Sequence, residues 1–359
     1  MLEAGARPLP MTLEEITPAW LTTALRIKQP GVTVRDARIL DVNHGTCTKV
    51  RMQLDVDDAG RAAGIPERVM LKGGFETHSR EMGHMHEDEA RGYRDVYPHV
   101  ELPTPACYFA DYDPELRQAV IVMEDLVVRG VTFCHPLKPQ TFEAVARRLT
   151  ALARFHAQTW NSPEFEAGGR WAWGAKPIPG PYFLHYLQPE QWRRFVALPR
   201  GAAASVRFHD REWMSEAMYR LGRLSERRPQ AMLHGDTHLG NLYVDADGAP
   251  GFFDGLPSRG TPMREISYHV TGALDTADRR RWEGALLQHY LDELVRNGVA
   301  APSFDETLHD YGCFLAIGYL IFLINESHYQ PEAINTAYVA RFSAAMLDHD
   351  TAGLIRALA

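Results

Sequence analysis

Between Leu233 and Asp245 the chain reads LHGDTHLGNLYVD, and a little further on FFD ends at Asp254. Asp236 precedes Asn241 by five positions, and Asn241 precedes Asp254 by thirteen. Asp and Asn side chains offer hard oxygen donors, which suit a divalent cation such as Mg2+. A transferring phosphoryl group spreads negative charge over its oxygens, and a cation held by such donors neutralises it. An attacking hydroxyl must also be oriented and lose its proton, which calls for a carboxylate beside it. The spacing matches the template of phosphoryl transfer, where a catalytic-loop Asp is followed by Asn and then, after a short hairpin, by a metal-binding Asp. Asp236 is therefore the candidate base, and Asn241 and Asp254 are the candidate metal ligands.

The elements that must position these residues are readable around them. NLYVD and PGFFD flank Ala246-Asp247-Gly248, which predicts a hairpin with a type I′ or bulged turn, its ends carrying Asn241 and Asp254 to one place. Before residue 125, extended β-branched stretches dominate. After a helix over TLEEITPAWLTTALR come VRDARILDV, TKVRMQLDV, RVMLK, PACYFADYD and RQAVIVME, an antiparallel sheet of about five strands. Beyond residue 125 helical spacing takes over. Phe142, Val145, Leu149, Leu152 and His156 mark one buried face, and further helices are expected near 205–226, 265–276, 279–297, 304–326 and 333–348. Trp160 to Pro181 reads as irregular. The pattern predicts an α+β plan with two lobes, residues 1–125 an antiparallel-sheet lobe with one main helix and 126–359 a mostly helical lobe, with a cleft at the junction.

Within the sheet lobe, Met82, Met85, Glu89, Tyr93 and Val96 share one helical stripe, so Glu89 sits on an otherwise apolar face. A buried carboxylate needs a partner. In RVMLK, Arg68, Met70 and Lys72 share one strand face while Val69 and Leu71 share the other. Lys72 is the natural partner for Glu89.

HGDTHLGN followed by FFDG resembles the aminoglycoside phosphotransferase and choline kinase-like family. The form HGDxHxxN fits its small-molecule kinases better than protein kinases, whose loop usually carries Arg and Lys where this chain has Gly235 and His238. IVMEDL, Ile121 to Leu126, resembles the family's hinge, and LARFHA, Leu152 to Ala157, resembles the helix after it. The likeness is to the ecdysteroid kinase-like branch and its bacterial relatives, over roughly residues 35 to 345. It implies a bilobal protein-kinase-like fold, ATP and Mg2+ as cofactors, and transfer of the γ-phosphate of ATP to a hydroxyl of a small molecule. Lys72 is then implied to grip the α- and β-phosphates, with Glu89 positioning it. The backbone of Met123, Glu124 and Leu126 is implied to hold the adenine, and a turn at Gly45, Thr46 and Thr48 to cover the nucleotide, with one glycine where GxGxxG has three. His234 and His238 are expected to support the loop. The chain departs from the family at Gly255, where many members have Trp, Phe or Tyr, and at Glu265, where an Asp usually opens the next helix. Glu265 is expected to support the loop in its place.

Other readings of these residues compete. Asp and Asn favour ordinary turns, Glu89 could be a solvated helix residue, and Lys72 an edge-strand charge. The altered Gly255 and Glu265 leave room for a kinase-like module that binds nucleotide without turnover. His84-Met85-His86-Glu87-Asp88 and His234-Gly235-Asp236-Thr237-His238 resemble transition-metal ligand spacings and suggest a metal-dependent hydrolase.

Composition narrows the classes further. A net charge of −8 without a dense Lys/Arg run does not suit nucleic-acid binding. The N-terminus carries prolines and acidic residues where a secretory signal needs an apolar core, so a cytoplasmic protein is expected. The longest apolar run, Tyr311 to Ile324, falls short of the ~20 residues of a membrane span and reads as a buried helix. Cys47, Cys107, Cys134 and Cys313 are scattered, predicting reduced thiols rather than disulfides or zinc. The acceptor site is expected in the helical lobe. RWAWGAKPIPGPYFLHYLQPEQWRRF gathers Trp171, Trp173, Tyr182, Phe183, Tyr186, Trp192 and Phe195 and lacks the acidic cluster a polycationic aminoglycoside favours, which points to an apolar or amphipathic alcohol.

Overall fold

Residues 8–45 and 47–358 are described by a computed structural model. Thr46, one of the residues expected to cover a nucleotide, lies outside them. By packing, the chain divides into two units. One comprises Met1–His99, Thr104–Val131 and Phe253–Pro257, the other Val100–Pro103, Thr132–Phe252 and Ser258–Ala359.

In the first unit the period-two stretches form β1 (Val34–Asn43), β2 (Thr48–Val56), β3 (Arg68–Gly73), β4 (Cys107–Asp113) and β5 (Gln118–Glu124), paired antiparallel in the order β1-β2-β3-β5-β4. Val50, Met52, Leu54, Val69, Leu71 and Val122 point to one face and pack under α1 (Pro18–Arg26) through Leu21, Ala24 and Leu25. The single helix expected over TLEEITPAWLTTALR is split instead: Leu13–Glu15 makes a 3-10 turn, and α1 begins afresh at Pro18 with Thr17 as its cap. Proline lacks the N–H and clashes with the preceding turn, so it starts a helix rather than continuing one. After the short α2 (Asp58–Ala62), α3 (Gly83–Arg91) covers the other sheet face, where Ala90 and Tyr93 meet Ala110, Ile121 and Met123. A π-helical turn, Gly92–Val96, follows. The buried stripe runs through Gly83, His86, Glu89, Ala90, Tyr93 and Val96, leaving Met82 and Met85 half-buried rather than on its axis. The brief α4 (Leu126–Arg129) is capped by Asp125.

In the second unit α5 (Phe142–Gln158) packs against α11 (Thr276–Arg296). Between them lie α6 (Pro181–Tyr186), α7 (Pro189–Val196), α8 (Pro199–Ala202), α9 (Arg211–Glu226) and α10 (Pro262–Ala273), followed after α11 by α12 (Phe304–Ile324), α13 (Glu332–Asp348) and α14 (Thr351–Ala357). α12 is the hub, packed on α10 and α13. It extends N-terminally past the apolar run under a Ser303–Glu306 capping box. At 21 residues it is long and apolar enough to cross a membrane by length and composition, contrary to the shorter run read from the sequence, but 83% of its most apolar window is buried inside the protein. Short strands complete the unit: β6 (Thr132–Phe133), β7 (Ala231–Leu233), β8 (Leu242–Val244), β9 (Pro250–Phe252) and β10 (Ser258–Gly260). β8 and β9 form the hairpin, closed by a bulged turn with Gly248 at φ 83° and its N–H donated to Asp245 O.

Candidate functional site

The candidate residues fall in both units, and each group is held by its own unit's elements. In the first, β3 ends with Lys72 on the face toward α3, and α3 turns Glu89 back at it. Lys72 Nζ donates to Glu89 Oε1 and Oε2 at 2.6 and 2.7 Å and to Asp254 Oδ1 at 2.7 Å. Asp254 Oδ2 accepts from Lys49 Nζ at 3.0 Å. Burial alone would raise the Asp254 carboxyl, yet the charges of Lys49 and Lys72 outweigh it and hold the group well below the usual carboxylate range. Burial would lower the Lys72 ammonium, but Asp254 and Glu89 hold it above the ordinary lysine value. Glu89 moves upward, because burial exceeds the pull of Lys72. Asp254 is one of the few non-glycine residues in the left-handed region, at φ 53°. Such a conformation costs of order 1–3 kcal/mol and concentrates at functional positions.

Around this cluster, Thr48 opens β2 fully buried, its hydroxyl without a hydrogen-bond partner among the described residues. Gly45 O is tied to His78 Nε2 at 2.8 Å. The neighbouring Cys47 thiol is pushed up to about 12 by burial, an unreactive group. Along the expected hinge, Met123 packs in the core beside α3, the Glu124 N–H is committed to Ala106 O, and Leu126 begins α4. Between them Asp125, which the sequence reading passed over, is buried and joins Arg51 Nε of β2, at 2.9 Å, to the N-terminus of α4.

In the second unit β7 runs directly into the loop. Asp236 Oδ2 accepts from Asn241 Nδ2 at 2.8 Å, and its backbone O accepts from the same nitrogen at 3.1 Å. With that amide nitrogen engaged, Asn241 Oδ1 is left as the acceptor suited to a cation. Asp236 Oδ1 accepts from the Tyr268 hydroxyl at 2.9 Å. His238 Nε2 stands 3.5 Å from Asp236 Oδ2, while its Nδ1 accepts from the Gly240 N–H. His234 is buried, with Nδ1 3.4 Å from the Asp236 N–H.

What holds this loop is α10. The Glu265 carboxylate, 3% exposed, accepts from the His234 N–H at 3.1 Å and the Gly235 N–H at 2.7 Å, and meets His156 Nε2 at 2.9 Å. Burial pushes its carboxyl up, but the His156 bond and the loop contacts outweigh it. His156 Nδ1 in turn meets the Tyr290 hydroxyl at 2.9 Å. A carboxylate only accepts, so His156 Nε2 carries the proton that faces it. His269 Nδ1 donates to Thr237 O at 2.9 Å. Tyr268 stacks on Phe322, and Phe322 on Tyr338, whose hydroxyl takes the Leu239 N–H. The sequence reading found Glu265 but not Tyr268 or His269, although their spacing of three and four from Glu265 on one helix was a usable signal.

Among the described residues no group of three or more His, Cys, Asp or Glu side chains is gathered for a metal. A Mg2+ site of the phosphoryl-transfer kind needs only one or two protein oxygens, since phosphates and water complete its octahedron. Asp254 and Asn241 fit that requirement in chemistry. Of the aromatic-rich stretch, Trp171, Trp192 and Phe195 serve the core, while Tyr182, Phe183 and Tyr186 on α6 stay half-exposed.

Residues 49–164 match the model of the ecdysteroid kinase-like family. No curated protein sequence matches the chain. Two solved structures share its fold at TM-score 0.51. One, from Ralstonia eutropha JMP134 and classed as an aminoglycoside phosphotransferase, is 15% identical over 93% of this chain and 97% of its own. The other, the amicoumacin kinase hAmiN in complex with AMP-PNP and Ca2+, is 12% identical over 87% of this chain and 88% of its own. The chain is thus similar to the ecdysteroid kinase-like family across Lys72, Glu89 and the hinge, and it has the α+β, protein-kinase-like fold of small-molecule phosphotransferases.

Proposed function

We propose that this protein is an ATP-dependent phosphotransferase that moves the γ-phosphate of ATP to a hydroxyl of a small molecule. The observation that carries the reading is the ion cluster of Lys72, Glu89 and Asp254. Burying such charges costs several kcal/mol per ion, and apolar side chains of similar volume stabilise a fold equally well or better. A cluster kept at that cost, with a left-handed Asp at its edge, supports a site for a charged ligand rather than a structural core.

Bound Mg·ATP supplies the electrophilic phosphorus and the cation that neutralises its oxygens. Lys72 binds the phosphates, and Glu89 keeps Lys72 extended. Asp254 and the Oδ1 of Asn241 serve as hard oxygen ligands for the cation. Asp236 would accept the hydrogen bond of the acceptor hydroxyl and take its proton as the new O–P bond forms and the bond from the γ-phosphorus to the bridging oxygen of the β-phosphate breaks, with ADP as the leaving group. The loop that carries it is fixed by Glu265, so little reorganisation accompanies the step. The acceptor is an apolar or amphipathic alcohol, for which α6 offers half-exposed Tyr182, Phe183 and Tyr186.

The test is transfer of label from γ-labelled ATP with Mg2+ into a metabolite extract, with Mg·ATP binding recorded in the same samples. The wild type should make a labelled small molecule. Asp236→Asn should bind Mg·ATP as tightly while turnover falls ~10²–10⁴-fold. Unchanged turnover removes Asp236 from the mechanism, and absent Mg·ATP binding by the wild type refutes the reading as a whole.

A further inference from the structure

β2 and β3 pair antiparallel with Lys49 directly opposite Lys72. Like charges facing each other across strands repel, yet both side chains converge on one carboxylate. Lys72 donates to Asp254 Oδ1 and Lys49 to Oδ2. The two lysines differ in what else they have. Lys72 is 5% exposed and holds Glu89 as a second partner. Lys49 is 36% exposed, and among the described residues Asp254 is its ionic partner, with the Phe253 ring 5.9 Å from its ammonium.

Two ammoniums and two carboxylates make this cluster neutral. A divalent cation on Asp254 takes the oxygens that the lysines now occupy and leaves a positive surplus. Only an incoming polyanion removes that surplus. Lys72 stays tied to Glu89, whereas Lys49 is long, half-exposed and free to swing to a new anion without leaving a buried charge unpaired.

We infer that Lys49 is a second phosphate-binding residue, which exchanges Asp254 Oδ2 for the polyphosphate of a nucleoside di- or triphosphate when cation and nucleotide enter together. This deepens the nucleotide reading above and rests on it. It also assigns Lys49 a resting role, shielding Asp254 from cations that arrive without phosphate.

The experiment is calorimetric binding of adenosine, ADP and ATP, each with Mg2+, to the full chain as wild type, Lys49→Met and Lys49→Arg, with Mn2+ alone as a further ligand. Loss of one charge-assisted contact predicts that Lys49→Met weakens ADP and ATP about 10- to 100-fold. Adenosine should be unaffected, and Lys49→Arg should recover most of the loss. Mn2+ without nucleotide should bind Lys49→Met more tightly than the wild type. An equal loss for adenosine and ATP, no loss for ATP, or weaker Mn2+ binding each overturns the inference and leaves Lys49 as a strut for Asp254. Failure of the wild type to bind any adenine nucleotide is a separate outcome, overturning the nucleotide reading and this inference with it.

Discussion

Replacing Glu265 by Gln tests whether the loop is held by a carboxylate or merely packed beside one. The carboxylate accepts three hydrogen bonds, from the His234 and Gly235 amides and from His156 Nε2. A Gln places its oxygen on one side only. With Oε1 on Gly235, the side-chain NH2 faces two donors. One conflict is removable: His156 can shift its proton to Nδ1, donate it to the Tyr290 oxygen and accept from the Gln at Nε2. The other is not, because the His234 N–H has no second tautomer. One charge-assisted bond is then lost with its donor buried, and the other two are weakened to neutral ones. At ~1.5–3 kcal/mol for the first and about 1 kcal/mol for each of the others, the loss is about 3.5–5 kcal/mol. Urea unfolding monitored in the helical unit should therefore show a midpoint lower by roughly 2 M at an m-value near 2 kcal/mol/M. Turnover should fall as well, with Mg·ATP affinity nearly kept. A midpoint within about 0.25 M of the wild type, about 0.5 kcal/mol at that m-value, would refute the claim that Glu265 is the loop's anchor.

Two further outcomes can be stated briefly. Tyr268→Phe removes the donor to Asp236 Oδ1. It should lower kcat about tenfold and leave KM for ATP unchanged; an unchanged kcat counts against a positioning role. His269 is pulled down to about 4 by burial, reinforced by the charge of Arg148, against an unfolded value near 6.5. Its folded pKa lies below its unfolded one, so stability is full above about pH 6.5 and falls toward pH 4 as the unfolded chain takes the proton. The drop from pH 7 to 5 should be about 2 kcal/mol, and it should vanish in His269→Gln; an identical slope in both proteins rejects the assignment.

Much of the fold could be read from local pattern, and the failures have local causes. The strands were legible because one face of each is buried, so apolar residues recur with period two. The break at Pro18 was also visible, but helical spacing on both sides of it masked it. The π-helical turn at Gly92–Val96 was not readable: it adds a residue where the chain must seat both Tyr93 and Val96, a demand set by tertiary packing. α6, α7 and α8 each start at a proline inside a stretch rich in aromatics and glycine, and each is too short for a periodicity to emerge.

The candidate site divides along a different line. Asp236, Asn241 and Asp254 announced themselves because oxygen-bearing residues at fixed offsets have few other reasons to recur. Lys72 and Glu89 followed from a charge placed on an apolar stripe. Lys49 was hidden, because which β2 residue faces Lys72 depends on strand register, and register depends on pairing that no single strand encodes. Tyr268 and His269 were hidden for another reason. They act on a loop some thirty residues earlier in the chain, and only the helix that brings 265, 268 and 269 to one side makes them a set. The two carboxylates proposed to meet substrate and cation keep some solvent contact, 25% for Asp236 and 23% for Asp254, whereas Lys72 and Asn241 are buried like Glu265, Tyr268 and His269. A holding group works best where water cannot compete for the bond it makes. Changes at Asp236 and Asp254 should therefore alter binding and turnover first, and changes on α10 stability first.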